Sequence, residues 1–263
     1  MNILPEIQSA EAYRAAYARS LAEPEAFWAE VAATFHWFAP WNSVQQGDFH
    51  SLGIKWFDGG QTNLCYNCLD RHLPARAAHP AIVWESNDPA EPSRTLTYAE
   101  LHREVMRLAL LLERYGVAAG DRVCLYMPMV PEAAIAMLAC ARIGAIHSIV
   151  FGGFSAQSLA DRINDASCKL LLTADSTYRG TKEVRLKDIC DEALAGCPSV
   201  ATVLVLRRTG QPVAMQPGRD HWWGRELERI PAGARHEARP LPSEAPLFIL
   251  YTSGSTGKPK GVL

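Results

Sequence analysis

The stretch "RVCLYMPMVPEAAIAMLACARIGAIHSIVF", Arg122 to Phe151, decides the fold class. Its first apolar run, "RVCLYM", predicts a strand, and Pro131 suits the first turn of a helix that Gly144 can end. The run "AIHSIVF" then predicts a second strand. Both strands are continuous apolar runs rather than alternating ones, which is typical of a parallel sheet covered by helices on both faces. The stretch therefore predicts a βαβ unit.

The same alternation extends in both directions from this unit. Apolar runs predict further strands at "AIVWE", "KLLLTA", "TVLVL" and "PLFILY". Thr97 to Glu100 form a capping box that opens a long amphipathic helix, which Gly116 is placed to end as a left-handed cap. Helices are also predicted at "SAQSLADRINDA" and from about Lys182 to Ala195, whereas residues 207–245 show little periodicity apart from "DHWWGRELERI". The fold class predicted is α/β, with a parallel sheet built from βαβ units.

The N-terminal part of the chain has a different character. From Ser9 to Phe35 the pattern is helical, and Pro24 suits the first turn of a second helix. An aromatic, irregular stretch follows, which is too apolar for a flexible linker and predicts an extended segment wrapped onto another domain. The pattern changes at Pro80. We therefore predict a helical cap with a wrapping segment over residues 1–79, and the first part of a large α/β domain over residues 80–263.

Composition narrows the possible partners and compartments. The 263 residues carry a formal net charge of −2, which argues against nucleic acid or a membrane surface as a bulk partner. The N-terminus lacks a signal-peptide pattern and the apolar stretches are too short to span a membrane, so a cytoplasmic location is expected. The seven scattered cysteines are expected to be buried thiols. Cys65 and Cys68 form a C-x-x-C pair, but no second pair of ligands follows at zinc-site spacing, so no metal site is predicted.

The last predicted strand leads directly into a glycine-rich loop, "YTSGSTGKPKGVL". Glycines let a ligand approach the backbone, and successive N–H groups and hydroxyls can surround an anion. The loop is not a Walker A motif, because Thr252 stands where that motif needs Gly and Pro259 where it needs Ser or Thr. A solvated Gly/Ser hairpin is the alternative, but it needs no ordered Lys-Pro-Lys. The predicted phosphate-binding residues are Thr252, Ser253, Gly254, Ser255, Thr256, Gly257, Lys258 and Lys260.

This loop resembles the phosphate-binding motif of the adenylate-forming enzymes, T-S-G-[ST]-T-G-x-P-K-G, and Thr252 to Gly261 match every specified position. Three longer stretches resemble the acetyl-CoA synthetase family (acetate–CoA ligases, AMP-forming). They are "KWFDGGQTNLCYNCLDRHL", "YMPMVPEAAIAMLACARIGAIHSIVFGGFSAQSLADRI" and "HWWGRELERI" with the closing "PLFILYTSGSTGKPKGVL". The resemblance implies that family's N-terminal helical cap ahead of the large adenylating domain. Propionyl-CoA synthetases share the "TNLC" and "FGGF" stretches and remain an alternative.

The resemblance also implies a site for coenzyme A. "RGTK", Arg179 to Lys182, occupies the family's R-G-G-[RK] turn, which contacts the nucleotide end of CoA, and Thr181 departs from its second Gly. Two cations around a glycine at the start of a helix can bind phosphates, although an exposed basic helix start is the plainer explanation. The "FGG" turn lines the pantetheine channel in the family, and a tight turn without a ligand is the alternative. The implied CoA-binding residues are Phe151, Gly152, Gly153, Arg179, Gly180, Thr181 and Lys182.

Other side chains in these stretches are assigned to packing. His147 lies within an apolar strand and is expected to be a core histidine with satisfied hydrogen bonds. Trp222 and Trp223 are expected to pack the 207–245 region onto the domain rather than to stack on a ligand.

The reaction implied by the resemblance has two steps. Acetate attacks the α-phosphorus of ATP to give acetyl-adenylate and Mg²⁺-pyrophosphate, and the CoA thiol then displaces AMP. ATP, Mg²⁺ and CoA are thus the implied cosubstrates, and a small carboxylic acid is the implied partner. The family's catalytic lysine is expected beyond Leu263, so no catalytic residue is assigned here and Lys260 is assigned to the phosphate loop alone. The chain is expected to be an N-terminal portion that is inactive by itself; a catalytically inactive nucleotide- and CoA-binding module is the alternative from another functional class.

Overall fold

The structure is a computed structural model that describes residues 7–48, 50, 52–87, 91–252 and 259–263. Within these residues the α-helices are α1 (Ala10–Ala22), α2 (Pro24–Ala32), α3 (Leu64–Cys68), α4 (Leu73–Arg76), α5 (Tyr98–Arg114), α6 (Pro131–Ile143), α7 (Ala156–Ala166), α8 (Leu186–Leu194) and α9 (Trp223–Glu228). The strands are β1 (Ser43–Gln46), β2 (Lys55–Asp58), β3 (Gln61–Thr62), β4 (Pro80–Trp84), β5 (Arg94–Thr97), β6 (Arg122–Tyr126), β7 (Ile146–Ile149), β8 (Leu170–Ala174), β9 (Thr177–Arg179), β10 (Lys182–Val184), β11 (Thr202–Leu206), β12 (Asp220–Trp222), β13 (Leu241–Pro242), β14 (Phe248–Thr252) and β15 (Lys260–Val262). None of the helices in the described part is long and apolar enough to cross a membrane.

A seven-stranded sheet organises the molecule, in the order β12-β11-β8-β6-β7-β14-β15. Neighbours from β12 to β14 run parallel, and only β15 is antiparallel to its neighbour β14. The stretch from Arg122 to Phe151 forms β6, α6 and β7, with Val123 opposite His147 in the register. The predicted α/β class with a parallel sheet of βαβ units is therefore confirmed.

Both faces of the central strands are buried, which explains why β6, β8 and β11 are largely apolar along their length. Along β6, Val123 and Leu125 belong to a core shared with α5 and α6. Cys124 and Tyr126 point to the opposite face and belong to a core shared with α7 and α8. Because every position of such a strand loses contact with water, hydrophobic burial favours apolar residues at all of them.

The predicted helix ends are also present. The Thr97 hydroxyl accepts a hydrogen bond from the Glu100 amide at 3.2 Å, and a Glu100 carboxylate oxygen accepts one from the Thr97 amide at 2.8 Å. α5 ends at a left-handed Gly116 (φ 78°), and α6 begins at Pro131 and ends at a left-handed Gly144 (φ 80°). These local rules fix where the two helices that cover one face begin and end.

The structure corrects two predicted elements. The helix expected from about Lys182 begins only at Leu186, because residues 177–184 form the antiparallel hairpin of β9 and β10. Gly180 takes a positive φ of 58° and reverses the chain there, which a continuous helix does not allow. The 207–245 region also contributes a strand, β12, to the sheet. Its sequence Asp-His-Trp is not an apolar run, and the Asp220 side chain is buried in ion pairs with Lys187 and Arg219.

Buried polar contacts fasten the N-terminal part to the α/β part. Asn63 is 1% exposed, and its amide nitrogen lies 2.9 to 3.2 Å from the carbonyls of Ala141, Arg142 and Arg239. The Arg142 guanidinium makes two hydrogen bonds to Asp70, at 2.8 and 2.9 Å. We call Asn63, Asp70 and Arg142 the joint. β3 also pairs with β13, so residues 61–62 are hydrogen-bonded to residues 241–242.

Candidate functional site

The predicted ligand-binding residues that the structure describes lie at one edge of the sheet. The turn of residues 151–154 follows β7, the β9–β10 hairpin follows β8, and Thr252 ends β14. These three strands are parallel members of the same sheet, so their carboxyl ends lie on the same side. In open α/β sheets this is where ligands bind.

The turn after β7 is built around two glycines that have packing reasons to be glycine. A Cβ on Gly152 would lie 3.0 Å from the carbonyl oxygen of Met127. A Cβ on Gly153 would lie 2.6 Å from the ring of Phe151 and 3.1 Å from Nη1 of Arg179. The tight-turn explanation therefore has direct support, and the pantetheine channel stays a prediction. The same distances show that the structure brings Arg179 to Phe151 and Gly153, although Arg179 lies more than 25 residues further along the chain.

The hairpin of β9 and β10 presents the two predicted cations side by side. Arg179 and Lys182 are opposite each other in the register, both are exposed, and Gly180 and Thr181 form the two-residue turn between them. The prediction that these residues lie at the start of a helix is wrong. Helix α8 begins only at Leu186, so its dipole does not lie at the turn. Two paired cations at a hairpin tip can still bind phosphate oxygens.

Thr181 is compatible with this turn. Of the two central residues, Gly180 alone has a positive φ. That pattern matches a type II′ turn, which requires glycine only at the first central position. The departure from the second glycine of the family pattern therefore leaves the turn geometry intact.

Two buried residues that the sequence reasoning missed hold this hairpin in place. The Asp175 carboxylate is fully buried and accepts hydrogen bonds from the amides of Ser176 and of residues 208–210, at 2.8 to 3.1 Å. The Ser176 hydroxyl donates to Glu183 at 2.7 Å and also contacts Thr209. The polar pair Asp-Ser directly after the buried run "KLLLTA" is the sequence signal that could have indicated this support of the hairpin.

The phosphate loop is described only at its two ends. Thr252 and Lys260 are opposite each other in the β14–β15 register, and both are exposed. The structure thus brings the first and last predicted phosphate-binding residues together. The remaining predicted residues of the loop lie outside the described residues; they are Ser253, Gly254, Ser255, Thr256, Gly257 and Lys258.

Tyr251, the residue before Thr252, is held firmly. Its hydroxyl donates to the Asp165 carboxylate at 2.7 Å and lies 3.3 Å from the Arg162 carbonyl. Burial, together with this hydrogen bond to an acidic group, raises the pKa of Tyr251 well above its usual value. Tyr251 therefore stays a neutral hydrogen-bond donor at physiological pH. The Arg162 guanidinium lies over the Tyr251 ring at 5.3 Å and over the Phe154 ring at 4.7 Å.

The structure places the residues that were assigned to packing. His147 is 5% exposed, and burial lowers the pKa of its imidazole to about 4, so the ring is neutral. Its Nδ1 has no hydrogen-bond partner among the described residues, which corrects the expectation of a satisfied histidine. Trp223 is buried in the core with α5 and α6, and the Arg207 guanidinium lies 4.5 Å from the centre of the Trp222 ring.

Metal-binding side chains do not cluster in the described part of the chain. No group of three or more His, Cys, Asp and Glu there could hold a metal ion. In the C-x-x-C pair, Cys65 is buried with its sulfur 3.5 Å from Nη1 of Arg142, and Cys68 is exposed. Burial raises the pKa of the Cys65 thiol to about 12, so Cys65 is a neutral packing residue beside the joint.

Comparison with known proteins agrees with this arrangement. Residues 69–263 match the family model described as AMP-binding enzyme, so the chain belongs to the AMP-binding enzyme family. Residues 13–68 match the model described as Acetyl-coenzyme A synthetase N-terminus. The resemblance to acetyl-CoA synthetases found in the sequence is thereby confirmed. The names of both models refer to small molecules, AMP and acetyl-coenzyme A.

Individual relatives point the same way. The chain is 55% identical over 253 residues to acetyl-coenzyme A synthetase 2 of Pseudomonas putida, and 54% identical over 254 residues to acetyl-coenzyme A synthetase of Saccharophagus degradans. Each match covers 96% of this chain and 39% of the relative, so the chain spans about two-fifths of their length. Among solved structures, acetoacetyl-CoA synthetase from Streptomyces lividans matches with a TM-score of 0.83 at 30% identity, over 95% of this chain and 38% of that one.

Proposed function

We propose that the whole protein is an AMP-forming acetate–CoA ligase, which activates acetate with ATP and transfers the acetyl group to coenzyme A. Since this chain spans 39% of its relatives' length, the role proposed for its own residues is to bind phosphates and CoA. The observation that carries the proposal is the convergence of the hairpin cations, the 151–154 turn and the end of β14 at one sheet edge.

Each element has a separate proposed role. The loop that begins at Thr252 holds the β- and γ-phosphates of ATP, and Lys260 adds positive charge as the pyrophosphate group leaves. Mg²⁺ arrives as the Mg–ATP complex, which is a substrate. The paired cations Arg179 and Lys182 bind phosphates of the CoA nucleotide, and the turn at Gly152 and Gly153 lies beside the pantetheine arm.

The same proposal assigns the two parts of the chain. Residues 1–79 form the helical cap with its wrapping segment, and residues 80–263 form the first part of the adenylating domain. The proposed compartment is the cytoplasm, which agrees with seven cysteines that are all free thiols, six of them buried.

Ligand titration of the 263-residue chain by isothermal calorimetry tests the binding roles. We expect CoA to bind, and we expect the double variant Arg179→Met/Lys182→Met to bind it at least tenfold more weakly, because charge-assisted contacts to phosphate are lost. Arg185→Met is the matched control, since Arg185 is a nearby half-exposed cation already paired with Asp188 at 2.5 Å. Lys260→Met is expected to weaken Mg–ATP binding and to leave CoA binding unchanged. A chain that binds neither ligand contradicts the proposed roles.

Turnover is tested on the whole product of the native gene. We expect AMP release that depends on both acetate and CoA. Propionate is the competing substrate, because the "TNLC" and "FGGF" stretches that carry the resemblance occur in propionyl-CoA synthetases as well. A higher kcat/KM for propionate contradicts the acetate assignment, and binding without turnover of either acid supports an inactive binding module.

A further inference from the structure

A continuous series of contacts joins the predicted CoA site to the base of the predicted phosphate loop. The Arg179 guanidinium lies 5.5 Å from the centre of the Phe151 ring, and Phe151 meets Phe154 edge to face at 5.8 Å. Arg162 lies over the Phe154 ring at 4.7 Å and over the Tyr251 ring at 5.3 Å. Every member of the series therefore touches the next by a ring or cation–ring contact.

Arg162 is the member that contacts both the turn after β7, at Phe154, and the end of β14, at Tyr251. It lies on α7 and is 8% exposed, and its Nη1 donates to the Ser158 carbonyl at 2.7 Å. A planar guanidinium can stack on two rings through its two faces, which an ammonium group cannot do. Arg162 thus contacts Phe154 and Tyr251 with one planar group.

The same helix holds Tyr251 a second time. Asp165, one residue short of a full turn after Arg162, accepts the Tyr251 hydroxyl at 2.7 Å. The hydroxyl of Tyr126 also donates to the Phe154 carbonyl at 2.7 Å, which fixes that end of the series to β6. The end of β14 and the turn after β7 are therefore both fixed to α7, and neither moves without disturbing Arg162.

We propose that Arg162 is a positioning residue that couples the phosphate site to the CoA site through the Phe154 and Tyr251 rings. This inference rests on the proposed function, since it requires both ligands. A ligand that binds at one site fixes the position of its end of the series, and Arg162 transmits that position to the other end. The second ligand then meets a site that is already in place. Linkage requires that each ligand increases the affinity for the other by the same factor, and we expect about fivefold or more.

The test is a calorimetric titration of the 263-residue chain with CoA, with and without saturating Mg–ATP, and the reverse titration. It is repeated for Arg162→Met, which keeps the apolar stem, and for Arg162→Lys, which keeps the charge without the plane. Arg71→Met is the matched control, because Arg71 also stacks on a ring, that of Phe35 at 5.6 Å, but lies in the N-terminal part. Thermal unfolding establishes that each variant is folded at the titration temperature.

The expected result is reciprocal coupling in the native chain and in Arg71→Met, and its loss in Arg162→Met, with each single-ligand affinity changed less than about threefold. Arg162→Lys is expected to retain less than half of the native coupling free energy, because an ammonium group contacts one ring rather than two. A merely structural role would lower stability or both affinities without changing the coupling factor. If the native chain binds CoA and Mg–ATP without coupling, or if coupling survives in Arg162→Met, the inference is overturned and the proposed function still stands. A native chain that binds neither ligand overturns both.

Discussion

Two regions of this molecule carry the residues that mark its family, and they use them differently. At the joint of Asn63, Asp70 and Arg142, polar side chains are buried and bonded to one another and to backbone carbonyls. At the carboxyl edge of the sheet, Arg179, Lys182 and Lys260 are exposed. The joint therefore stabilises the fold, and the edge keeps its charges available for a ligand. A family motif can thus have a structural role, as "TNLC" does here through Asn63, even when it contains a cysteine of a C-x-x-C pair.

The largest expected effect comes from Arg142, which is 2% exposed at its side chain. Arg142→Met removes two hydrogen bonds to Asp70 and leaves that carboxylate with His102, whose Nε2 lies 3.0 Å away. Breaking a buried ion pair from one side costs about 3–5 kcal/mol in the free energy of unfolding. Urea denaturation of the native chain and of Arg142→Met measures this loss.

The control for this variant is Arg19→Met, which breaks the surface pair with Glu30, where both side chains are about half exposed. Its expected cost is below about 1 kcal/mol. Equal unfolding midpoints for Arg142→Met and Arg19→Met would show that the joint does not stabilise the fold as described.

Substitution of Asn63 is expected to cause the second-largest loss in the free energy of unfolding. Asn63→Asp keeps the side-chain acceptor for the Tyr66 amide but replaces the donor to three carbonyls with a negatively charged oxygen. We expect a loss of about 3 kcal/mol, and about 2 kcal/mol for Asn63→Ala, because buried acceptors lose their donor. Asn164→Asp is the control, since Asn164 donates one bond to a carbonyl, Gly196, at an exposed position. If Asn63→Asp is no worse than the control, the joint does not depend on the amide.

The pH dependence of the joint is expected to be smaller still. Burial alone would raise the pKa of Asp70, but hydrogen bonds from His102 and Arg142 outweigh it and lower the pKa from 3.8 to about 2. A carboxyl with a lowered pKa stabilises the fold above its unfolded value and loses this contribution as the pH falls towards 2. The shift corresponds to about 2 kcal/mol.

The measurement compares the native chain with Asp70→Asn at several pH values. The difference in unfolding free energy between them should shrink by about 2 kcal/mol from pH 5 to pH 2. A difference that stays constant over this range would mean that the Asp70 carboxylate gains nothing from its partners.

The contrast between the two regions also separates what the sequence could predict from what it could not. The parallel strands from β11 to β14, together with α5 and α6, were predictable because apolar runs, a capping box and glycines at helix ends are local signals. The strand β12 was not, because a polar edge strand such as Asp220–Trp222 lacks an apolar run. The β9–β10 hairpin was mistaken for a helix start because its charged residues suit either structure.

Contacts between distant residues were the other gap. Nothing near Asn63 in sequence indicates that its partners are Ala141, Arg142 and Arg239, and Arg162 meets Tyr251 across 89 positions. The edge as a ligand site was predictable, since loops after parallel strands converge. Which side chains fix those loops depends on packing that no local pattern encodes.

The smallest expected effects come from the two turn residues of the β9–β10 hairpin, where one variant tests the backbone conformation and the other tests a side chain. A Cβ on Gly180 would meet nothing within 4 Å, so Gly180→Ala is penalised only by its positive φ, at about 1 kcal/mol. Thr181→Ala is expected to change stability by less than about 0.5 kcal/mol, because Thr181 lacks a positive φ and is exposed. Titration with CoA should follow the same order, with weaker binding for Gly180→Ala and native binding for Thr181→Ala. If Thr181→Ala weakens CoA binding more than Gly180→Ala does, the threonine side chain itself contacts the ligand. The edge would then share with the joint a dependence on side-chain hydrogen bonds, and the turn geometry alone would not explain why threonine is tolerated in place of the family's glycine.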